Sequence, residues 1–214
     1  MQRIFYWALL GLVISINPIA AAAGSKVRPA PTFYISTFGG FSAPMDPEFE
    51  DPAQSGELGT DLGFAGGVAL GTNLTDRLRA EVELAVHAND VDEIRLEGIG
   101  TIPIKGDVTV VTSMAKLAYD FELGPFLPYI AAGIGAARYE LSLEPPAGGS
   151  DHRTVLAGEI EGGMTIPLTD QLDLFTSTRL VVLKSLYIDP TGAGGAEIQN
   201  PLLLSSSLGL RIGF

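Results

Sequence analysis

The sequence predicts an all-β protein, an eight-stranded antiparallel up-and-down barrel. Three observations lead there. Apolar and polar residues alternate with a period of two in segment after segment, and no 3.6-residue stripe stands out. Turn formers recur, with 26 Gly and 14 Pro in 214 residues. The connections between the alternating segments are long and short by turns, which is what an up-and-down barrel produces when its two ends differ.

The chain begins with a basic Met1-Gln2-Arg3, then an uncharged apolar run over residues 4–16, then Asn17-Pro18 and a small-residue Ala21-Ala22-Ala23. That order is the layout of a cleaved secretory signal, and it predicts a mature start near Gly24. The apolar run is shorter than the roughly 20 residues a spanning helix needs. Formal net charge is −12, and loss of Arg3 would make it −13. Such acidity argues against a nucleic-acid partner. With no cysteine, thiol chemistry and disulfide staples are excluded.

The first strand is expected over residues 32–43 and the second over 61–71, both glycine-rich. The third is the cleanest: in "LRAEVELAVH" Leu78, Ala80, Val82, Leu84 and Val86 oppose Arg79, Glu81, Glu83, Ala85 and His87. The fourth, "VTSMAKLAYDF", sets Val111, Ser113, Ala115, Leu117, Tyr119 and Phe121 against Thr112, Met114, Lys116, Ala118 and Asp120. The fifth covers 127–141. The sixth, "AGEIEGGMTI", sets Ile160, Met164 and Ile166 against Glu159, Glu161 and Thr165. The seventh, "LDLFTSTRL", opposes Leu172, Leu174 and Leu180 to Asp173, Phe175, Ser177 and Arg179. The eighth, over 200–214, carries Leu208, Leu210, Ile212 and Phe214 on one face and Ser205, Ser207, Gly209, Arg211 and Gly213 on the other.

Between them lie "PMDPEFEDPAQSGE", "TNLTD", a long link from Ala88 to Gly106, "ELGPF", "EPPAGGSDH", "PLTDQ" and "DPTGAGGAEIQN". Odd-numbered connections share one end of an up-and-down barrel and even-numbered ones the other. Four long and three short connections fit eight strands with short periplasmic turns and long extracellular loops.

Alternation alone leaves the inward face open. A soluble lipocalin-like barrel hides its apolar face, and a membrane barrel shows it to lipid. Two features favour lipid. Aromatic residues sit near strand ends (Phe33, Tyr34, Tyr119, Phe121, Phe126, Tyr129, Tyr139, Tyr187, Phe214), where an interfacial girdle would lie. The opposite face is small or charged with both signs: Arg79, Glu81, Glu83, Lys116, Asp120, Glu159, Glu161, Asp173, Arg179 and Arg211. An eight-stranded barrel is just wide enough for side chains to fill, so these charges are expected to pair across the lumen.

The stretches "LTDRLRAEVELAV", "MAKLAYDFELGPFLPYIAAGIGAARY", "GGMTIPLTDQLDLFTSTRL" and "LGLRIGF" resemble the bacterial outer-membrane β-barrels of the opacity and outer-membrane-protein-A type. Most specific are Tyr119-Asp120-Phe121, Gly124-Pro125-Phe126 and Pro128-Tyr129. The resemblance implies residence in the bacterial outer membrane among outer-membrane lipids and lipopolysaccharide. It implies a terminal Phe214 read by the outer-membrane assembly machinery, and no shared catalytic residues. Domains are then a signal peptide (1–23), a short N-terminal periplasmic segment (24–31) and the barrel (32–214).

No cofactor, metal or catalytic residue is expected. His87 falls on the lumen face near the outer rim and His152 in a solvated loop. Neither offers the His–Ser pair on the lipid side that a lipid A-modifying enzyme would need. The paired carboxylates Glu81/Glu83 and Glu159/Glu161 suit a salt-bridged plug better than acid–base work. Acids clustered at 46–57 and 90–97 lack the spacing of a calcium loop and read as solvated. The expected function is a non-enzymatic structural or surface-interaction role: envelope integrity, adhesion, or contact of the loops with host or surface ligands. A small or gated porin-like channel is the alternative, with a lipid A enzyme or a soluble carrier behind it. A wide pore would need about 16 strands.

Overall fold

The computed structural model describes residues 31–45, 48–51, 54–96, 100–124, 126–145, 149–188 and 196–214. Strand is the only regular structure among them, in twelve pieces: β1 (Phe33–Met45), β2 (Glu48–Asp51), β3 (Gln54–Thr60), β4 (Gly63–Asn73), β5 (Leu78–Leu96), β6 (Gly100–Asp120), β7 (Leu127–Leu143), β8 (Gly149–Pro167), β9 (Leu172–Leu183), β10 (Leu186–Ile188), β11 (Ala196–Ile198) and β12 (Leu202–Gly213). The proposed signal peptide and nearly all of the proposed N-terminal segment lie outside the described residues.

Eight of these strands close a ring. β1 pairs with β4 on one side and β12 on the other, and the antiparallel ladder continues β4–β5–β6–β7–β8–β9–β12. Closure removes every exposed edge of this ring. The start of β1 and the residue after β12 lock into the seam: Phe214 N donates to Phe33 O at 2.9 Å and Phe33 N to Phe214 O at 3.3 Å. The two L-T-D-x-L turns are built alike. The hydroxyl of Thr75 accepts from Arg77 N and Leu78 N, and that of Thr169 from Gln171 N and Leu172 N.

The long connections differ from the sequence reading, because much of their length is strand. The stretch from Ala88 to Gly106, read as a link, is mostly ladder, since β5 runs to Leu96 and β6 starts at Gly100. A register shift between Val91 and Glu93 absorbs the irregularity that masked the alternation there. The remaining short strands extend the same wall. β3 pairs with β5 beyond β4, β2 with β3 and β11, and β10 with β11.

Three wall strands therefore break once at about one level, between β3 and β4, β9 and β10, and β11 and β12. At the last break Pro201 has no N–H to give a ladder, and Asn200 takes a φ of 41°, a conformation Asn tolerates better than most residues. From inside, the amide of Asn89 donates to Ser42 O at 2.9 Å and to Asp61 O at 3.0 Å, satisfying carbonyls beside the gap.

The ring has an inside and an outside that follow the alternation. Val82, Leu84, Val86, Leu117, Ile130, Ile134, Ile160, Leu208, Leu210 and Ile212 are exposed on the outer wall, and Arg79, Glu81, Glu83, Lys116, Glu159, Glu161 and Arg179 are buried within. Ile134 is 76% exposed, a degree of exposure that a soluble protein would not repeat around a whole wall.

Candidate functional site

The interior charges form one network toward the end with the short turns. Residues of one parity on β5, β6, β8, β9 and β12 supply it, because only that parity points inward on a pleated strand. At its centre Lys116 Nζ donates to Glu83 Oε2 at 2.6 Å and Glu161 Oε2 at 2.8 Å, and lies 3.5 Å from both Glu81 Oε2 and Glu159 Oε1. Arg179 Nη1 donates to the other oxygen of Glu83 at 2.7 Å, Nη2 donates to Ser177 Oγ at 3.2 Å, and Nη2 lies 3.8 Å from Glu161 Oε1. Glu83 thus joins a cation of β6 to one of β9, so the chain of bonds crosses the ring.

Toward the short-turn end, Arg79 Nε donates to Glu81 Oε1 at 3.0 Å and its Nη1 pairs with Asp120. Arg211 is held more loosely, 3.9 Å from Glu81 and 4.0 Å from Asp173. The structure therefore brings all nine residues singled out from the sequence (Arg79, Glu81, Glu83, Lys116, Asp120, Glu159, Glu161, Arg179 and Arg211) into one interior cluster. Phe214 stands apart on the outer wall, 69% exposed.

Sequence reasoning missed the aromatic half of this cluster. Tyr34 and Tyr129 were expected in the interfacial girdle, yet both are buried inside. Tyr34 OH donates to Glu81 Oε1 at 2.7 Å and Tyr129 OH to Glu161 Oε1 at 2.6 Å. The guanidinium groups lie on rings: Arg79 on Tyr129 at 4.4 Å, Arg179 on Phe38 at 4.0 Å, and Arg211 on Tyr34 at 4.9 Å and Phe175 at 5.4 Å. Such stacking suits a partly dehydrated guanidinium.

Each of these rings stands directly across the ladder from a glycine: Tyr34 from Gly71, Phe38 from Gly67, Tyr129 from Gly163, and Phe175 from Gly209. A Cβ at Gly71 or Gly209 would collide with the ring it faces. The available signal was parity, since Tyr34 shares its face with Ser36 and Tyr129 with Ala131. Tyr139 is also buried inside, so the girdle keeps Phe33, Tyr119, Phe121, Tyr187 and Phe214 on the outer wall.

The other half of the interior is apolar. Val91, Val108, Val110, Met114, Ala137, Tyr139, Leu141, Ala157, Val181, Leu183 and Leu203 form one buried cluster toward the hairpin end. The expectation of a small and charged lumen holds only below it. Met114, Ala137, Tyr139, Leu141, Ala157 and Leu203 lie within the strands expected from the sequence, while Val91, Val108, Val110, Val181 and Leu183 lie beyond their expected ends, so the apolar character of this half was not read.

His87 lies further inside than the rim position expected, because β5 continues nine residues past it to Leu96. It is buried, with Nδ1 3.4 Å from Ser42 Oγ. This His–Ser contact faces the interior, and no carboxylate among the described residues bonds to the ring. A hydrolytic pair needs an oriented base and access to substrate, and this one has neither. His152 is exposed.

Glu83, Glu159 and Glu161 offer oxygens within 4.8 Å of one another, the arrangement of a small metal site. The ammonium of Lys116 already sits among them and supplies the cation. The acids proposed as loop clusters fall mostly on side chains outside the described ones, while Asp90 and Asp92 are exposed.

Residues 8–200 match the outer membrane protein β-barrel domain family. The chain belongs to that family. Membership implies the bacterial outer membrane, so the short turns are periplasmic and the hairpins extracellular.

Among solved structures, outer membrane protein OprG from Pseudomonas aeruginosa is similar at 15% identity and a TM-score of 0.61, covering 88% of this chain and 100% of its own. Neisserial surface protein A is similar at 17% identity and a TM-score of 0.56, covering 85% and 97%. The outer membrane protease OmpT from Escherichia coli is similar at 8% identity and a TM-score of 0.54, covering 86% and 97%. At such identities the likeness is one of fold, and the protease transfers no activity. No curated protein matches the sequence at a significant level.

Proposed function

We propose that this chain is a non-enzymatic outer-membrane barrel with a structural and surface-interaction role, exported by a cleaved signal and closed to bulk solute. The observation that carries this reading is the crossing of the interior by Lys116–Glu83–Arg179 bonds, with the apolar cluster stacked above. On this reading the charge pairs below and the apolar side chains above close the interior to bulk water. Mature protein then starts near Gly24, Phe214 serves as the assembly signal, and the extended outer hairpins supply the contacts for adhesion. Refolded protein in a planar bilayer is expected to give no conductance steps, while its migration on an unboiled gel differs from that after boiling. Steady, wide conductance would refute the closed reading.

A narrow cation-preferring conductance is the second reading. It is favoured by six interior carboxylates (Glu81, Glu83, Asp120, Glu159, Glu161, Asp173) against four cations, and by Glu159, neither of whose oxygens accepts a hydrogen bond among the described residues. Brief cation-selective openings that grow when Lys116 is replaced would favour it.

A further inference from the structure

The upper edge of the lipid-facing band is chemically uneven. On β8 the outward residues run from Ile166 to Leu156 before Thr154. Ten residues (166 − 156) on a strand tilted by about 40° climb roughly 25 Å, the height of the apolar band of such barrels. Thr154 is thus the first residue above the hydrocarbon on this strand.

On β7 the residue opposite Thr154 is Arg138, which follows outward-facing Ile134 and Ala136. On β9 the outward-facing Val182 is followed by Lys184, whose N donates to Leu156 O at 2.9 Å. Three neighbouring strands therefore meet the headgroup level with Arg138, Thr154 and Lys184. The two cations are separated by about 10 Å across two ladder steps and about 7 Å along the strand, within the span that two long side chains can bridge to one ligand above Leu156. Both are exposed, and neither makes an ion pair or side-chain hydrogen bond with any described residue. Glu140, the next outward residue of β7 beyond Arg138 and opposite His152, lies further toward the hairpin end and makes no ion pair with Arg138.

Elsewhere the rim has the opposite sign: on β5 and β6 the outward-facing Asp90 and Asp107 stand directly across from each other. In a protein of net charge −12, two cations with no ion-pair partner among the described residues flank a hydroxyl at the top of an apolar wall, a constellation that suits an anionic headgroup.

We propose that Arg138 and Lys184, with Thr154 between them, dock a phosphate of an outer-leaflet glycolipid of the lipid A type, whose acyl chains lie over Ala136, Leu156, Ile160 and Val182. The inference rests on the membrane reading above. The side chains suit the chemistry, since a guanidinium and an ammonium form charge-assisted hydrogen bonds to phosphate oxygens, and long basic side chains snorkel from apolar surface to headgroups.

The test uses full-length mature protein refolded in detergent, titrated with bis-phosphorylated lipid A and followed by native mass spectrometry. Heat-modifiable migration is scored on the same samples, so that failure to form a barrel is read separately from failure to bind. Loss of one charge-assisted bond is expected to weaken binding roughly tenfold for Arg138→Gln or Lys184→Gln, with the double variant weaker still. Dephosphorylated lipid A should bind the natural protein as weakly as the double variant binds the phosphorylated form. Lys105→Gln, the same charge change on β6, should bind as the natural protein does. Equal affinity for both lipids, or an equal loss in Lys105→Gln, would overturn the site.

Discussion

Replacing Lys116 by Met removes the cation that four carboxylates share while keeping the length of the side chain. Lys116 Nζ lies 2.6 Å from Glu83, 2.8 Å from Glu161 and 3.5 Å from Glu81 and Glu159. All four acids are buried. Arg179 still answers Glu83, and Arg79 still answers Glu81. Glu159 keeps no ion-pair partner among the described residues, only the more distant charge of Arg179, and Glu161 keeps the 3.8 Å contact of Arg179 and the hydroxyl of Tyr129. Removing one partner of a buried ion pair leaves the other charge uncompensated, at a cost of about 3–5 kcal/mol.

The expectation is therefore a stability loss of about 3–5 kcal/mol for Lys116→Met, read as a lower midpoint of urea unfolding in lipid vesicles with gel migration as the signal. Adding Glu161→Gln should return part of that loss, about 1–2 kcal/mol, because it removes an unanswered charge. A midpoint within 0.5 kcal/mol or so of the natural protein for the single variant would refute the reasoning. It would mean that water reaches these charges and that the network is not a sealed plug.

Three further outcomes follow from the geometry. Phe214→Ala should reduce the assembled fraction in cells more than it shifts the unfolding midpoint, since the backbone bonds between Phe33 and Phe214 survive the change; pulse-labelling of folded and unfolded forms separates the two effects. Ile134→Arg on the outer wall should cost about 2–4 kcal/mol in vesicles, measured by the same urea titration, while Arg in place of an exposed rim residue such as Thr154 costs little. Asn89→Ala should cost about 1–3 kcal/mol and speed amide hydrogen exchange around Ser42 and Asp61, whose carbonyls lose their shared donor; unchanged exchange there would show that the gap needs no support.

Much of this was legible in the residues, for a physical reason. The period of two on "LRAEVELAVH" fixed which side chains meet, because a pleated strand cannot turn Glu81 inward without also turning Glu83 inward. Closure then brought Lys116 and Arg179 to the same acids without any special motif. The girdle reading of Tyr34 and Tyr129 failed because nearness to a strand end says how high a ring sits, not which way it points. The facing Gly71 and Gly163, which make room for those rings, become visible only once the register is known. The apolar outer half of the interior was hidden for a similar reason. Val91 lies in a stretch that read as a link because of the bulge beside it, and Val108, Val110, Val181 and Leu183 lie just past the expected ends of strands whose ladders continue.

The most direct test of the central account, apolar wall outward and charged network inward, uses the absence of cysteine. Single cysteines at Leu84, Leu117, Ile134 and Leu208, each labelled with a fluorophore in vesicles, report what the outer wall touches. The account predicts quenching of all four by a nitroxide held at the bilayer centre and none by aqueous iodide. Quenching by iodide with no response to the nitroxide would contradict it and make the barrel a soluble one.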